Sequence, residues 1–186
     1  MATIREGYRR VLLVVDTQVG VVTGCWEADR VIANISYAIG RARAQRTPVL
    51  WVQHSDDELS IDSPGWQWAP GLAPAAGEPV VHKLYNSAFE ETTLERELAR
   101  VGATHIVLAG AMTNWCIRAT AHAALERGYD LTLLKDAHTT GTIALEDGTR
   151  IEAADVVAEL NLAMTWMSYP GRGTTTARAA EVDFGG

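Results

Sequence analysis

The sequence has few cysteines, no cluster of basic residues and no apolar run that is long enough to cross a membrane. Its two cysteines, Cys25 and Cys116, lie in different contexts, so neither a disulfide framework nor a cysteine-based zinc site is indicated. A net charge of -7 without a Lys/Arg cluster favours a small-molecule partner over nucleic acid or an anionic membrane. Residues 1–7 lack the apolar segment of a signal peptide, and we expect a cytoplasmic protein.

The length of 186 residues, 47% of them hydrophobic, suits one compact domain that spans residues 1–186. Short apolar runs alternate along the chain with segments of helical periodicity. This alternation predicts an α/β protein with three α/β/α layers, in which a Rossmann-like, mostly parallel sheet has helices on both faces. The predicted strands are 11–15, 49–52, 80–83, 106–109 and 131–134, and the predicted helices are 28–46, 87–102, 113–128 and 153–166.

The ends of the predicted elements follow local signals. Ser87 and Glu90 fit a capping box at the start of one helix, and Thr113 or Asn114 fits the cap of the next. Asp147 begins a hairpin turn signal, and the chain after Pro170 carries no predicted element.

Residues 55–79 form a long irregular segment that holds four of the six prolines together with Trp66 and Trp68. A loop of this length is usually functional or disordered. Because tryptophan is seldom left in solvent without a partner, we favour a pocket wall here, with an oligomer contact as the alternative.

Cys116 follows the strand 106–109 and the turn at Gly110, which places it in the first turn of the next predicted helix. The unpaired N–H groups and the positive end of the helix dipole favour a thiolate there, which makes Cys116 a candidate nucleophile. The alternative is a buried cysteine that fills space between helix and sheet.

Two further polar residues, Asp16 and Lys83, stand at or just past the carboxyl ends of predicted strands. Ligands of parallel α/β sheets bind outside these ends. We therefore expect Asp16, Lys83 and Cys116 to meet at one rim of the sheet. Taken singly, Asp16 could cap a turn and Lys83 could be a solvated charge.

Four short motifs follow one another along most of the chain. They are Asp16-Thr-Gln18, Lys83 with Asn86-Ser-Ala-Phe89, Gly110-Ala-Met-Thr-Asn-Trp-Cys116 with Thr120-Ala121, and Gly128-Tyr129 leading to Asp136-Ala137. In their order and spacing the chain resembles the isochorismatase-like cysteine hydrolases, a family that includes nicotinamidases and other amide hydrolases.

The resemblance implies a catalytic triad of Asp16, Lys83 and Cys116 that cleaves an amide or lactam C–N bond through a thioester, without a metal or an organic cofactor. Asp16 would act as base and acid, Lys83 as an electrostatic partner and Cys116 as the nucleophile. The backbone N–H groups of Met112 and Cys116 would form an oxyanion hole, and the peptide between Ala111 and Met112 is expected to be cis. Similar proteins are commonly homo-oligomers, so we expect a dimer or tetramer.

The sequence departs from the nicotinamidases after the second strand. Those enzymes carry an Asp/His metal cluster there, whereas this chain reads Gln53-His54-Ser55-Asp56-Asp57 with no second histidine nearby. We expect no bound metal, and the chain looks most like the metal-free branch that includes streptothricin hydrolase. The predicted substrate-binding residues are Gln18, Trp26, Trp66, Trp68, Tyr85, Phe89, Trp115 and His138.

Several alternatives stay open at this point. Gln18 is equally suited to bonding loop backbone, and some of the aromatic residues will belong to the core. The chain could also be an isochorismatase-type hydrolase of a vinyl ether, but that reaction does not need a cysteine nucleophile, so the presence of Cys116 favours amide chemistry. A non-catalytic flavodoxin-like binding module is a further possibility, although both glycine-rich phosphate motifs are missing. An assembly role for the Trp-rich loop is the last.

Overall fold

The computed structural model describes residues 2–185, which form a six-stranded parallel sheet with helices on both faces. The strand order is β3-β2-β1-β4-β5-β8, and β6 and β7 form a separate antiparallel hairpin. The strands are β1 Arg10–Val15, β2 Val49–His54, β3 Val80–Lys83, β4 His105–Ala111, β5 Asp130–Thr139, β6 Ile143–Ala144, β7 Arg150–Ile151 and β8 Thr174–Ala177. The helices are α1 Val19–Val22, α2 Ala28–Ala44, α3 Leu94–Arg100, α4 Arg118–Glu126 and α5 Ala153–Trp166, and a π-helical turn, Thr113–Ile117, precedes α4.

The alternating side chains of β1 divide the core into two layers. Val11, Leu13 and Val15 face a cluster that includes residues of α3, α4 and α5, whereas Leu12 and Val14 face α2 and the segment 179–184. Both sides of the central strand are therefore buried, which explains its uninterrupted apolar sequence. The predicted three-layer α/β/α architecture is confirmed. No helix within residues 2–185 is both long enough and apolar enough to span a bilayer.

The sheet is larger than the sequence pattern predicted. β5 continues to Thr139, five residues beyond the predicted strand 131–134, and β8 pairs in parallel with β5 in the segment for which no element was predicted. The hydroxyls of Thr132 and Thr175 lie 3.0 Å apart across this last pair of strands.

The predicted start of the helix 87–102 is wrong. α3 begins at Leu94, and Ser87 makes no capping box with Glu90. The Ala88 N–H instead donates to the Thr120 hydroxyl, and the Thr92 hydroxyl donates back to the Ala88 carbonyl. The first of these bonds ties the segment to α4, and the second is internal to a segment that forms no helix before Leu94.

The turn that carries Cys116 also differs from the expected α-helical first turn. In the π-helical turn the Ile117 N–H donates to the Met112 carbonyl, five residues earlier. Neither proposed capping side chain caps the turn, because the Thr113 hydroxyl bonds His138 Nδ1 and the Asn114 side chain accepts a bond from Thr140. Wide turns of this kind often occur at functional sites.

Candidate active site

The carboxyl ends of three strands bring Asp16, Lys83 and Cys116 together. Asp16 follows β1, Lys83 is the last residue of β3 and Cys116 lies in the turn after β4. The Lys83 Nζ is 2.7 Å from Asp16 Oδ2 and 3.2 Å from Cys116 Sγ. The Asp16 carboxyl group and the Cys116 thiol also influence each other's pKa. The three side chains thus form one contiguous cluster.

Glycine at position 110 allows this close arrangement of β1 and β4. Gly110 has φ +131°, and a Cβ atom at this position would stand 1.9 Å from the Val15 carbonyl oxygen. No side chain fits there. Because glycine has no side chain, the end of β4 can approach the end of β1, which Asp16 directly follows.

Burial controls the charges of the cluster. The side chains of Lys83 and Asp16 are 0% and 1% exposed, so this ion pair is removed from solvent. Burial raises the pKa of Asp16, although the neighbouring Lys83 ammonium works in the opposite direction. Burial and the nearby Asp16 charge raise the pKa of Cys116 to about 12.

These shifts correct the expectation of a resting thiolate. Cys116 lies in a wide turn beside a buried carboxylate, and the resting thiol therefore keeps its proton. Deprotonation of this thiol needs a base, and Asp16 is the acidic side chain of the cluster.

A cavity of about 580 Å³ opens in front of the cluster. Asp16 and Cys116 lie at its inner end, and Cys116 is 9% exposed. The walls come from the strand ends, from α1 and from the loop 55–79, whose residues Leu59, Ser63 and Gly65 line one side. The predicted role of this loop as a pocket wall agrees with that position.

The predicted oxyanion-hole residues also lie at this cavity. Met112 and Cys116 both line it, and the peptide between Ala111 and Met112 is cis, as the resemblance implied. Within residues 2–185 the Met112 N–H donates no hydrogen bond. This N–H group is therefore available to a ligand.

Only Trp115 of the eight predicted substrate-binding residues has its place in the cavity lining, where it is 51% exposed. Gln18 is buried, and its amide bonds the backbone of His54 and Trp66. The Trp66 ring stacks on His82 instead of facing the cavity.

The other five predicted residues also lie outside the lining of this cavity. Core packing accounts for Trp68, which packs on Trp51, and for Phe89, which packs on Tyr129. Tyr85 is exposed outside the lining and contributes its carbonyl to Lys83. The remaining two, Trp26 and His138, line a separate cavity of about 210 Å³.

His138 has a structural role there. Its ring nitrogens bond Thr113 and Asn161, and burial lowers its pKa to about 4. A neutral ring between two polar partners holds the π-helical turn against β5.

Sequence reasoning missed His54 and Asp56 as members of the site. His54 ends β2, pairs in register with Lys83, and lies in the cavity wall together with Asp56 and Asn86. The available signal was positional, since His54 directly follows a buried strand at the same rim as Asp16. Within residues 2–185 no group of three or more His, Cys, Asp or Glu side chains is arranged to hold a metal ion.

Comparison of the sequence with known proteins identifies a family and several relatives. The family model described as the isochorismatase domain matches residues 10–160. A streptothricin hydrolase from Streptomyces noursei is 35% identical over 146 residues, which cover 75% of this chain and 58% of that protein. A maleamate amidohydrolase from Pseudomonas putida is 32% identical over 100 residues, covering 54% of this chain and 44% of that protein. The chain thus spans about half the length of these relatives.

Solved structures show the same fold. The structure of an isochorismatase from Pseudomonas putida KT2440 superposes with a TM-score of 0.82 at 26% sequence identity. The superposition covers 96% of this chain and 93% of that structure.

Proposed function

Since the chain belongs to the isochorismatase domain family, we propose that it is a cysteine hydrolase that cleaves an amide-type C–N bond of a small molecule. The observation that carries the proposal is the Cys116 thiol at the inner end of a cavity, in contact with the buried Asp16–Lys83 pair. A maleamate amidohydrolase and a streptothricin hydrolase among the relatives support hydrolysis of this kind.

The first step forms a covalent bond between enzyme and substrate. Asp16 removes the proton from Cys116 Sγ as the sulfur attacks the substrate carbonyl carbon. The electron pair of the C=O bond moves onto oxygen, which becomes an oxyanion. In the proposed mechanism the N–H groups of Met112 and Cys116 donate to this oxygen. The Met112 N–H, which has no hydrogen-bond partner within residues 2–185, supports this assignment.

The second step releases the amine. As the tetrahedral intermediate collapses, the C–N bond breaks and the protonated Asp16 gives its proton to the leaving nitrogen. The acyl group stays on Cys116 as a thioester. Asp16 is again a carboxylate, beside the Lys83 ammonium.

The third step regenerates the thiol. Asp16 takes a proton from a water molecule while the water oxygen attacks the thioester carbonyl. Collapse of this intermediate breaks the C–S bond, and Asp16 returns the proton to the sulfur. The products are a carboxylic acid and an amine, and over the whole cycle Asp16 has accepted two protons and donated two.

Lys83 allows Asp16 to accept and donate protons in a buried site. An isolated carboxylate is costly away from water, and the ammonium group 2.7 Å away favours its ionised form. Without that charge, Asp16 would be protonated at neutral pH and unable to act as a base.

The experiment is a panel of small amides and lactams assayed for release of ammonia or amine. We expect turnover by the wild-type protein, no turnover by Cys116→Ala, and normal turnover by the matched control Cys25→Ala. Amine release that survives Cys116→Ala overturns covalent catalysis. Turnover of vinyl ethers without turnover of any amide would favour the isochorismatase-type reaction instead.

The homo-oligomer expected from the resemblance stays a prediction. Trp166 and Leu162 on α5 are 79% and 60% exposed, which leaves apolar surface for contact between copies. Light scattering after size exclusion should give a dimer or tetramer mass. A monomer mass at micromolar concentration would contradict this expectation.

A further inference from the structure

The Lys83 ammonium group has four acceptors within reach, although it carries three hydrogens. Its Nζ lies 2.7 Å from Asp16 Oδ2, 3.1 Å from the Tyr85 carbonyl, 3.2 Å from Cys116 Sγ and 3.3 Å from His54 Nδ1. The direction of the ammonium hydrogens therefore depends on which of these groups can accept. Of the four, only His54 can change from an acceptor to a donor by moving a proton around its ring.

The His54 ring accepts from Lys83 only in one tautomer. An ammonium group has no lone pair, so Nδ1 must be unprotonated to take a hydrogen bond from it. The ring proton then sits on Nε2, which lies 2.9 Å from Asp56 Oδ2 and donates to it. A carboxylate on one side and an ammonium group on the other thus fix the tautomer.

Asp56 is itself held in place by the backbone. Its other oxygen, Oδ1, accepts hydrogen bonds from the Glu58 N–H at 2.9 Å and the Leu59 N–H at 2.7 Å. The bond from His54 and these two bonds lower the pKa of Asp56, which keeps it a carboxylate. The loop 55–79 thereby connects to the catalytic cluster through one chain of hydrogen bonds.

We propose that His54 is a positioning residue: held by Asp56 as the Nε2–H tautomer, it accepts one hydrogen of the Lys83 ammonium group and thereby fixes the position of Nζ between Asp16 and Cys116. Asp56 and His54 thus act on Asp16 and Cys116 through Lys83. This role rests on the proposed function of the triad. The charged or titratable groups around His54 are Lys83, Asp16, Asp56, Glu58 and Cys116.

Asp56→Asn is the discriminating variant. The two backbone N–H donors hold the amide oxygen in the place of Oδ1, so that the amide NH₂ group faces His54 Nε2. Nε2 must then accept, and the ring proton moves to Nδ1, against the Lys83 ammonium. The turn of the loop is kept while the tautomer is reversed. Asp57→Asn is the matched control, because Asp57 is exposed in the same loop and lies outside the cavity lining.

The tautomer can be read directly by NMR of protein labelled with ¹⁵N-histidine, with the His54 signals identified by their loss in His54→Asn. We expect the proton on Nε2 in the wild type and in Asp57→Asn, and on Nδ1 in Asp56→Asn. A proton on Nδ1 in the wild type, or an unchanged tautomer in Asp56→Asn, overturns the proposal. This readout does not depend on any substrate.

The second readout is the rate at which iodoacetamide alkylates Cys116 in a Cys25→Ser background. Asp56→Asn and His54→Phe should each slow alkylation by about 10-fold, the lower end of the effect seen when the partner that orients a metal-bound histidine is removed. His54→Asn should recover part of the rate, because its amide oxygen replaces Nδ1 as an acceptor. In the double variant His54→Phe/Asp56→Asn the loss should equal that of His54→Phe alone.

Alkylation at the wild-type rate or faster in Asp56→Asn and His54→Phe would refute the positioning role, as would losses that add in the double variant. Failure of the proposed function is recognised separately, by amide hydrolysis that survives Cys116→Ala. Hydrolysis assays of Asp56→Asn and His54→Phe separate positioning from substrate binding, because a positioning role lowers kcat and leaves KM nearly unchanged.

Discussion

Replacing Lys83 by methionine should make the stability of the protein depend on pH through Asp16. The substitution keeps the length of the side chain and removes a charge that is 2.7 Å from Asp16 Oδ2, with both side chains fully buried. With an effective dielectric constant of about 20, the lost attraction is about 6 kcal/mol at this distance. Asp16 avoids that cost by taking up a proton.

The cost of that protonation sets the expected magnitude. A carboxyl group in the unfolded chain has a pKa of about 3.9, and each pH unit is worth about 1.4 kcal/mol. Keeping Asp16 protonated in the folded state near pH 7 therefore costs about 4 kcal/mol. The value agrees with the ~3–5 kcal/mol found when one partner of a buried ion pair is removed.

The sign follows from the direction of the shift. The folded-state pKa of Asp16 is already raised by burial, so its contribution to stability is fully present below the unfolded pKa and is lost as pH rises through the folded pKa. Lys83→Met raises the folded pKa further and extends this loss to higher pH. The variant should thus lose up to about 4 kcal/mol near pH 7 relative to the wild type, whose own raised Asp16 pKa already carries part of this cost, and less than about 1 kcal/mol near pH 4.

The assay is urea unfolding of the wild type and Lys83→Met at both pH values, with Asp16→Asn/Lys83→Met as the control. The double variant carries no ionisable group at position 16 and should recover most of the stability near pH 7. An equal loss at the two pH values, or a double variant as unstable as the single one, would refute the reasoning.

Three further outcomes are expected. Gly110→Ala should lose more than about 3 kcal/mol of unfolding free energy or fail to fold, because its Cβ would stand 1.9 Å from the Val15 carbonyl oxygen. Gly40→Ala, in open space on α2, should instead gain about 0.5–1 kcal/mol. Thermal unfolding of both variants checks this pair of predictions. Thr113→Val should cost about 1–3 kcal/mol in urea unfolding by leaving His138 Nδ1 unpaired, and an unchanged midpoint would contradict that. Alkylation of Cys116 should speed up about tenfold per pH unit from pH 8 to 10, since its pKa is about 12, and a plateau below pH 9 would count against a protonated resting thiol.

The sequence predicted the features that depend on long apolar periodicity. The strand at residues 11–15 could be identified because both of its faces are buried, and the helix 28–46 because its apolar positions recur at helical spacing. The meeting of Asp16, Lys83 and Cys116 followed from the rule that ligands bind at the carboxyl ends of parallel strands.

The features that were missed depend on tertiary contacts. β8 has the sequence Thr-Thr-Thr-Ala, whose strand character is supplied by pairing with β5 and not by an apolar pattern. The segment after Ser87 is not helical, and its Ala88 N–H donates to Thr120 of α4, a tertiary contact that no local signal reveals. Trp68 and Phe89 read as pocket or as core equally well from sequence, and packing decides for the core.

The central claim is that Cys116 forms a covalent acyl intermediate. Mass spectrometry of the wild-type protein, quenched in acid during turnover of an amide from the panel, tests it directly. The peptide that contains Cys116 should gain the mass of the acyl group, and the gain should disappear with hydroxylamine and be missing in Cys116→Ala. Steady amine release with no acyl group on Cys116, together with full activity of Cys116→Ala, would contradict the account.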